Sequence, residues 1–370
     1  MTNYANSMLQ RGPNPVVGAY GGWRLFFGGT LLGGVLLAWA GAAPARDTCK
    51  MVQIAEVDVT MNGQQPLVAA TINGHAVQMI LDTGASKSLI WRSTAKELGL
   101  LLENLRGQFY GVGGSEQASS VFLDDFGFAG AHVRKLSVFA IGRGGPGDAT
   151  AGVIGEDLLS SIDVEIDLSA GKVRMFKPKN CSGDEVVYWS NEFFMVPMQD
   201  LEADSGWPEA EVSLNGHTEL VLFDTGAAFS AVSDEGLGLS GVTPETPLSD
   251  AGSTHGIGAK GVETKVAKFP QLIIGQETIQ NVRLRIANLF GNDRAVETGS
   301  RIPRNVVENR PDMILGADFF RAHRVLIARS QGKIYFTYKG GPIFSAPPRQ
   351  LAAPAPEAPP AAPAGEPPHN

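Results

Sequence analysis

The chain has 370 residues, with 38 acidic and 30 basic side chains and a formal net charge of −8 at pH 7. This acidic balance, without a cluster of basic residues, argues against a nucleic-acid partner and against electrostatic attachment to acidic lipid. The six histidines and two cysteines lack the spacing of a zinc motif, so we expect no metal and no other cofactor.

The first 45 residues are typical of an export signal or a membrane anchor. Arg11 and Arg24 are the only charged residues among the first 24, and residues 25–45 carry no charge. The uncharged run is long enough to attach the chain to a membrane, whereas the small residues at 40–45 offer sites for signal cleavage. Cleavage and a retained anchor both stay open, and both predict an exported protein of the periplasm or cell envelope, in the second case anchored in the inner membrane.

Cys49 and Cys181 are the only cysteines, and they stand at the two ends of the first half of the chain. In an exported protein an even cysteine count favours a disulfide. Two free thiols near exposed linkers are the alternative.

From about residue 50 to 336 the chain is rich in Val, Ile, Leu and Gly, which predicts many strands and few helices. Residues 67–72 read as a strand that meets Asn73-Gly74, a strong two-residue hairpin signal, and residues 76–81 read as the returning strand. The same pattern recurs around Asn215-Gly216. Each predicted hairpin ends at an aspartate, which a rigid sheet would hold in place at the start of a loop.

A short acidic turn occurs twice, as Asp82-Thr83-Gly84 and as Asp224-Thr225-Gly226. One such turn would be a weak signal, because a three-residue motif occurs by chance. An ordered series of further landmarks nevertheless predicts two homologous lobes. Each landmark recurs later in the chain at a larger residue number. The difference in number is 142 for the two acidic turns; for the three further pairs, in the order of the next sentence, it is 142, 145 and 161. The pairs are Asn73-Gly74-His75 with Asn215-Gly216-His217, Tyr110-Gly111-Val112-Gly113 with His255-Gly256-Ile257-Gly258, and Val153-Ile154-Gly155-Glu156-Asp157 with Ile314-Leu315-Gly316-Ala317-Asp318.

Three segments fall outside this repeat. Residues 177–191 are largely polar and predict a linker between the lobes. The growth of the offset from 145 to 161 indicates an insertion in the second lobe, which we assign to a surface loop at 291–311. After residue 345 the chain is rich in Ala and Pro, a composition that builds no core and predicts a disordered tail.

The apolar-Asp-Thr-Gly-Ala turn, the glycine-bearing segment after it and the later apolar-apolar-Gly resemble the retropepsin-like aspartic proteases. The resemblance covers about residues 52–178 and 207–340. Retropepsins usually have one lobe per chain and act as homodimers, whereas pepsins have two; this chain resembles a tandem, two-lobe, single-chain bacterial type of exported aspartyl protease. The resemblance implies an all-β fold of two pseudo-twofold-related β-barrel lobes with the active site at their interface.

The predicted division of the chain follows from the repeat and the resemblance together. It comprises a signal peptide or anchor at 1–45, a first retropepsin-like lobe at 50–178, a linker and first strand region at 179–206, a second lobe at 207–340 and a Pro/Ala-rich tail at 345–370. We expect a monomer whose two lobes pair within the chain. Pairing of each lobe with a lobe of another chain is the alternative.

The resemblance also assigns roles to residues of the repeated motifs. Asp82 and Asp224 would be the catalytic dyad. The dyad would be supported by four neighbours: Thr83, Gly84, Thr225 and Gly226. Gly155 and Gly316 would pack behind the two turns as structural support. Flaps that close over substrate would include these residues: Tyr110, Gly111, Val112, Gly113, His255, Gly256, Ile257 and Gly258.

These assignments imply an aspartic-type endopeptidase that cleaves peptide or protein substrates. Two carboxyl groups that share one proton would activate a water molecule, without a metal or a covalent intermediate. Ala85 and Ala227 lack the hydroxyl that pepsin-like enzymes commonly have there, so we expect a working pH nearer weakly acidic to neutral than strongly acid. A catalytically silent peptide-binding or assembly module on the same fold is the alternative, although both acidic turns are intact.

Overall fold

The computed structural model describes residues 48–112, 114–142, 150–183, 185–199, 206–239, 241–242, 248–254, 256, 261–289, 295–296, 304–305 and 311–344. The predicted signal or anchor at 1–45 and the predicted tail at 345–370 lie outside these residues. Within the described ranges, no helix has both the length and the apolar character needed to cross a membrane.

The described chain is mostly β-strand with a few short helices, which confirms the predicted all-β fold class. Its strands in the first half are β1 (Gln53–Asn62), β2 (Gln65–Ile72), β3 (His75–Leu81), β4 (Leu89–Trp91), β5 (Leu102–Gly111), β6 (Gly114–Phe128), β7 (Ala131–Ile141), β8 (Gly152–Ile154), β9 (Asp163–Asp167) and β10 (Lys172–Phe176). The strands of the second half are β11 (Phe194–Pro197), β12 (Glu209–Leu214), β13 (His217–Phe223), β14 (Ala231–Ser233), β15 (Ser249–Thr254), β16 (Val262–Ile274), β17 (Glu277–Ala287), β18 (Ala295–Val296), β19 (Arg304–Asn305), β20 (Met313–Leu315), β21 (His323–Ala328) and β22 (Lys333–Tyr338). The helices are α1 (Arg92–Glu97), α2 (Glu156–Leu159), α3 (Asp234–Leu239) and α4 (Ala317–Ala322), with a 3-10 turn at Arg329–Gln331.

The first lobe contains a closed six-stranded barrel. Its strands follow the order β2-β3-β8-β4-β7-β6, and pairing of β2 with β6 closes the circle. Most neighbours are antiparallel, but β3 runs parallel to β8 and β4 runs parallel to β7. Alternate side chains of β3, such as Met79 and Leu81, are buried in the main hydrophobic core.

The second lobe repeats this barrel strand for strand. Its order is β12-β13-β20-β14-β17-β16, closed by the pairing of β12 with β16. The parallel pairs recur as β13 with β20 and β14 with β17. The ordered landmarks of the sequence therefore correspond to equivalent positions of two barrels with one topology.

A six-stranded sheet joins the two lobes, in the order β11-β22-β21-β9-β10-β1. Its centre lies between β9 and β21, where Glu165 is opposite Leu326 in the antiparallel register. These two residues are related by the same numbering offset as the last pair of repeated landmarks. The sheet therefore lies on the pseudo-twofold axis and holds the lobes together through backbone hydrogen bonds.

The predicted hairpins before the two acidic turns are confirmed. Asn73 and Gly74 have φ values of 50° and 81°, and Asn215 and Gly216 have values of 52° and 85°. Asn and Gly tolerate this left-handed region, which a two-residue hairpin turn requires at both positions. The turns fix the register in which each second strand returns to its aspartate.

Glu165 is buried on the interlobe sheet and is neutralised by side chains from both lobes. It accepts from Arg174 Nη1 at 2.6 Å and from Tyr188 Oη at 2.6 Å, and Arg324 Nη2 lies 2.8 Å away. Arg324 also lies over the ring of Trp189, with its Cζ 4.4 Å from the centroid. The connection between the lobes, which reads as a polar linker in the sequence, is thus packed onto the sheet.

A two-strand pairing lies inside the predicted insertion at 291–311, because β18 pairs with β19. Apart from these strands and residue 311, the insertion falls outside the described residues.

A disulfide joins Cys49 to Cys181. The bridge lies beside a two-way backbone pairing in which Lys50 N donates to Lys179 O at 3.0 Å and Lys179 N donates to Lys50 O at 3.0 Å. It closes a loop with a sequence separation of 132 residues. The start of the first lobe is therefore covalently tied to the segment that follows β10.

Replacing both cysteines by alanine should lower the free energy of unfolding by about 5 kcal/mol, because a bridge over a long loop restricts the unfolded chain. Urea unfolding of the parent and the double variant, each with and without reductant, measures the loss. The parent should lose the same stability on reduction, and the variant should not respond to reductant. Equal unfolding midpoints for all four samples would contradict this prediction.

Candidate active site

Each acidic turn begins where a barrel strand ends. Asp82 follows β3, and its N–H donates to Ile154 O of the parallel strand β8 at 3.0 Å. Asp224 follows β13, and its N–H donates to Leu315 O of β20 at 2.9 Å. Both aspartates are therefore positioned by the central hydrogen-bond ladders of their own barrels.

Two threonines interlock the turns. Thr83 Oγ1 donates to Phe223 O at 2.6 Å and accepts from Thr225 N at 3.0 Å. Thr225 Oγ1 donates to Leu81 O at 2.7 Å and accepts from Thr83 N at 3.1 Å. The threonines are 1 % and 0 % exposed, so these four hydrogen bonds between the lobes are shielded from water. The structure thus brings both threonines together between the two turns.

The two glycines of the turns bring the carboxyl groups together. A Cβ atom at Gly84 would lie 2.3 Å from Cγ of Asp224, and one at Gly226 would lie 2.2 Å from Cγ of Asp82. Either contact is far inside van der Waals distance. Each carboxyl group consequently lies over the glycine of the opposite turn, in space that any side chain would occupy.

Backbone donors bind one oxygen of each carboxyl group. Asp82 Oδ1 accepts from Gly84 N and Ala85 N, both at 2.9 Å. Asp224 Oδ1 accepts from Gly226 N at 2.8 Å and from the N–H of residue 227 at 3.1 Å. These donors do not bind the second oxygen of each carboxyl group, which stays available to the other carboxyl group and for proton transfer.

The electrostatics of the pair favour one shared proton. Burial raises the pKa of Asp82 well above its ordinary value, and the charge of Asp224 and the hydrogen bond between the two carboxyl groups raise it further. Burial also raises the pKa of Asp224, but its hydrogen bond with Asp82 and the backbone donors oppose this rise. The raised pKa therefore belongs to the pair, which holds one proton between its two carboxyl groups.

A second layer of hydrogen bonds supports the first turn. Ser88 Oγ donates to Asp157 Oδ1 at 2.6 Å, and Ser88 N donates to the same oxygen at 2.7 Å. Gly155 N donates back to Ser88 Oγ at 3.0 Å. A Cβ atom at Gly155 would lie 2.6 Å from Ala85 O, so the glycine permits close packing behind the turn.

The second turn has the same support. Ser230 Oγ and N donate to Asp318 Oδ1 at 2.6 and 2.9 Å, and Gly316 N donates to Ser230 Oγ at 2.9 Å. The glycines of this layer were predicted from the sequence, whereas its serines and acids were not. The sequence repeat nevertheless contains both residue types. Ser88 and Ser230 differ in number by 142, as the two acidic turns do, and Asp157 and Asp318 differ by 161, as the last landmarks do.

Hairpins from the two lobes meet at the predicted flaps. The β5–β6 hairpin includes Val112 at its turn, and Gly256 follows β15. A Cβ atom at Gly256 would lie 2.5 Å from Val112 O, so the two tips are in direct contact. Tyr110 and Gly111 are described as the end of β5. The remaining flap candidates lie outside the described residues: Gly113, His255, Ile257 and Gly258.

The comparisons with known proteins agree with this geometry in the first lobe. A family model described as Aspartyl protease matches residues 68–158, which include the Asp82 turn and Gly155. No curated protein sequence matches the chain. The match supports an aspartyl protease family, and with it a peptide-cleaving hydrolase. In the described residues no group of three or more His, Cys, Asp or Glu side chains could hold a metal ion.

A buried hydrogen-bonded contact between Glu156 and Arg329 of the two lobes lies directly behind the Asp82 turn. Glu156 N donates to Ala85 O at 2.8 Å, and Glu156 Oε2 accepts from Arg329 Nη2 of the second lobe. Glu156 is 1 % exposed, and its Oε1 has no hydrogen-bond partner in the described part of the chain. Burial raises the pKa of Glu156 to about 8, because its cost exceeds the stabilising charge of Arg329.

Replacing Thr225 by valine should destabilise the protein by roughly 2–5 kcal/mol, because Leu81 O and Thr83 N would be buried without partners. Thr225→Ser keeps the hydroxyl and is the matched control, which should stay close to the parent. Urea unfolding of the three proteins measures the difference. If valine and serine give the same unfolding free energy, the interlock does not stabilise the lobes.

The raised pKa of Glu156 predicts a pH-dependent stability. Its pKa is about 8 in the folded protein and near 4.5 when unfolded, so the folded state binds the proton more tightly. The contribution of Glu156 protonation to the free energy of unfolding is fully present below about pH 4.5. It is lost as the pH rises to about 8. Glu156→Gln removes this titration, so the free energy of unfolding should fall less between pH 5 and 9 in the variant than in the parent.

Glu97→Gln provides the control, because Glu97 is exposed on α1. Its stability profile over the same pH range should follow that of the parent. Parallel profiles for Glu156→Gln and the parent would show that Glu156 does not titrate in this range.

Proposed function

We propose that this protein is an aspartic-type endopeptidase of the tandem, two-lobe, single-chain type, with one active site built from both lobes. The observation that carries the proposal is the pair of interlocked Asp-Thr-Gly turns, in which each carboxyl group lies over the opposite glycine. The family match covers the first of these turns and supports the same chemistry.

In the proposed reaction the ionised member of the Asp82–Asp224 pair accepts a proton from the attacking water. The protonated member donates its proton to the carbonyl oxygen of the scissile peptide bond, which yields a tetrahedral diol. Collapse of the diol returns a proton to the departing amine through the same two carboxyl groups. The hydrogen bonds to Oδ1 of each aspartate hold the two carboxyl groups in place during these proton transfers.

The proposed substrate is an extended polypeptide between the lobes. The two hairpins that meet at Val112 and Gly256 would cover such a peptide and exclude water during the reaction. An extended chain also suits the β-rich surroundings, because its backbone can pair as an added strand while alternate side chains enter separate pockets.

We also propose that the protein is exported to the periplasm or cell envelope and acts as a monomer. The Cys49–Cys181 disulfide supports export, because disulfides persist in oxidising compartments. The uncharged segment at 25–45 supports the same location, either as a cleaved signal or as an inner-membrane anchor.

The test is cleavage of a denatured protein library by the purified full-length chain, from about pH 3 to pH 8. Asp82→Asn and Asp224→Asn should each lower the rate by at least about 10²- to 10⁴-fold, because one carboxylic acid and one carboxylate are both required. Asp124→Asn, at an exposed position of β6, is the matched control and should cleave like the parent.

Mixing the two inactive variants tests the intrachain site. If both turns of a site come from one chain, the mixture stays inactive. If lobes pair between chains, the mixture forms some sites with two intact aspartates and regains activity. A folded parent that binds peptides but cleaves none at any pH would instead favour the silent binding module.

A further inference from the structure

An apolar wall lies beside the Asp82 turn on the outer face of the first barrel. Ile80 and Asp82 are two positions apart at the end of β3, so their side chains emerge on the same face. Ile80 packs with Leu67, Leu89 and Ala118, and Phe139 joins the cluster from β7. Ala85, whose N–H binds the Asp82 carboxylate, belongs to the same cluster, which places this wall at the catalytic turn.

The second barrel has a polar side chain where the first wall has its phenylalanine. Phe139 pairs with Leu89 in the parallel β4–β7 register, and Arg285 pairs with Ala231 in the equivalent β14–β17 register. Leu89 and Ala231 are related by the same numbering offset as the two catalytic turns. Arg285 is therefore the second-lobe counterpart of Phe139.

Two further positions show the same change. Leu67 pairs with Ile80, whereas its counterpart Glu209 pairs with Leu222. Burial raises the pKa of Glu209 to about 7, so this acid is largely neutral at weakly acidic pH. Thr264 contributes a hydroxyl to the second wall, as the hydrogen bond to Arg285 shows. The second wall is therefore polar at these three positions, while the rest of the equivalent cluster is apolar.

Arg285 is held on the outer face of its barrel. The neighbouring β17 residues Leu284 and Ile286 are buried in the core, so Arg285 points the other way. Its Cζ lies 3.9 Å from the ring centroid of Phe229, and its Nη1 donates to Ala251 O at 3.0 Å and to the threonine hydroxyl at 2.9 Å. The guanidinium group is thereby fixed between the catalytic loop and the base of the second flap.

The charge of Arg285 has no ion-pair partner among the described residues. Asp318 is the acid whose charge acts on it, but that carboxylate already accepts hydrogen bonds from Ser230 and Phe319 N. Burial lowers the pKa of Arg285, as expected for a cation held partly away from water. A half-buried guanidinium without a counter-ion is a favourable site for a carboxylate.

We infer that Arg285 is a specificity-determining residue that binds an acidic side chain of the substrate. The acidic residue would lie on the side of the scissile bond that faces the second lobe, and the first wall would accept an apolar side chain on the other side. The inference rests on the proposed function, since it assigns the substrate class of the same site. The substrate class is thus a polypeptide with an apolar residue and an acidic residue at fixed positions on opposite sides of the cleaved bond.

The test compares three sets of peptides that differ at one residue: an acid, its amide and leucine. Each set is made in both orientations around an otherwise constant apolar residue. The parent should prefer the acid over the amide by about 10- to 100-fold in kcat/KM in one orientation. Arg285→Met keeps the length of the side chain over Phe229 but removes the charge, so this ratio should fall to near one. Arg285→Lys should retain part of the preference.

Phe139→Leu is the matched control, because it changes the equivalent position of the first wall. Measured with the same peptides, it should leave the preference for acid over amide unchanged. Each preference is the ratio of two kcat/KM values measured on one protein sample. Partial unfolding of a variant lowers both values alike and leaves their ratio unchanged. A parent without a preference for the acid, or an Arg285→Met variant that keeps it, would overturn the inference.

A binding measurement separates this inference from the proposed function. The same peptides, labelled with a fluorophore, are bound to Asp82→Asn with and without the Arg285→Met change. A parent that cleaves without preference for the acid refutes the role of Arg285 and leaves the endopeptidase proposal intact. A parent that cleaves nothing, while acidic peptides bind in an Arg285-dependent manner, refutes the endopeptidase and retains the anion site. Absence of both cleavage and Arg285-dependent binding refutes both.

Discussion

The reciprocal hydrogen bonds of Thr83 and Thr225 are the constraint on which the rest of the structure depends. Each hydroxyl donates to a strand carbonyl of the other lobe and accepts from the other threonine's N–H. Two carboxyl groups share a proton only while they are held close enough for their titrations to be coupled. A closed and buried set of four bonds sets that separation, because no water can replace a broken member.

The two lobes are alike where the chemistry requires equivalence and differ where it does not. The layer behind the turns repeats almost atom for atom, with Ser88 and Ser230 each bound to an acid and a glycine. This similarity places the two aspartates in similar surroundings, which favours one proton held between them. Asymmetry enters beside the turns, where Phe139 of one wall is replaced by Arg285 of the other.

Further ionisable side chains are also buried between the lobes, outside the Asp82–Asp224 pair. Glu165 is surrounded by arginines from both lobes, and Glu156 is paired with Arg329 across the interface. Such pairs add little net stability, because the loss of hydration offsets most of their attraction. They do specify how the lobes join, since any other arrangement of the interlobe sheet would leave a charge buried without its partner.

The amino-acid sequence by itself determined the features that depend on neighbouring residues. These include the hairpins at Asn73-Gly74 and Asn215-Gly216, and the repetition of both acidic turns in an ordered series. Local chemistry specifies them, because only certain residues adopt left-handed turns or follow a strand with an acid. The tertiary structure alone decided which groups meet over long separations. These are the carboxyl groups of the two turns, the serine–acid layer behind them, the buried pairs of Glu156 and Glu165, and the contact of Arg285 with Phe229 in the second wall. These contacts depend on the closure of two barrels and on the register of the sheet between them. No local pattern encodes that register, because it results from the packing of residues that lie far apart in the sequence.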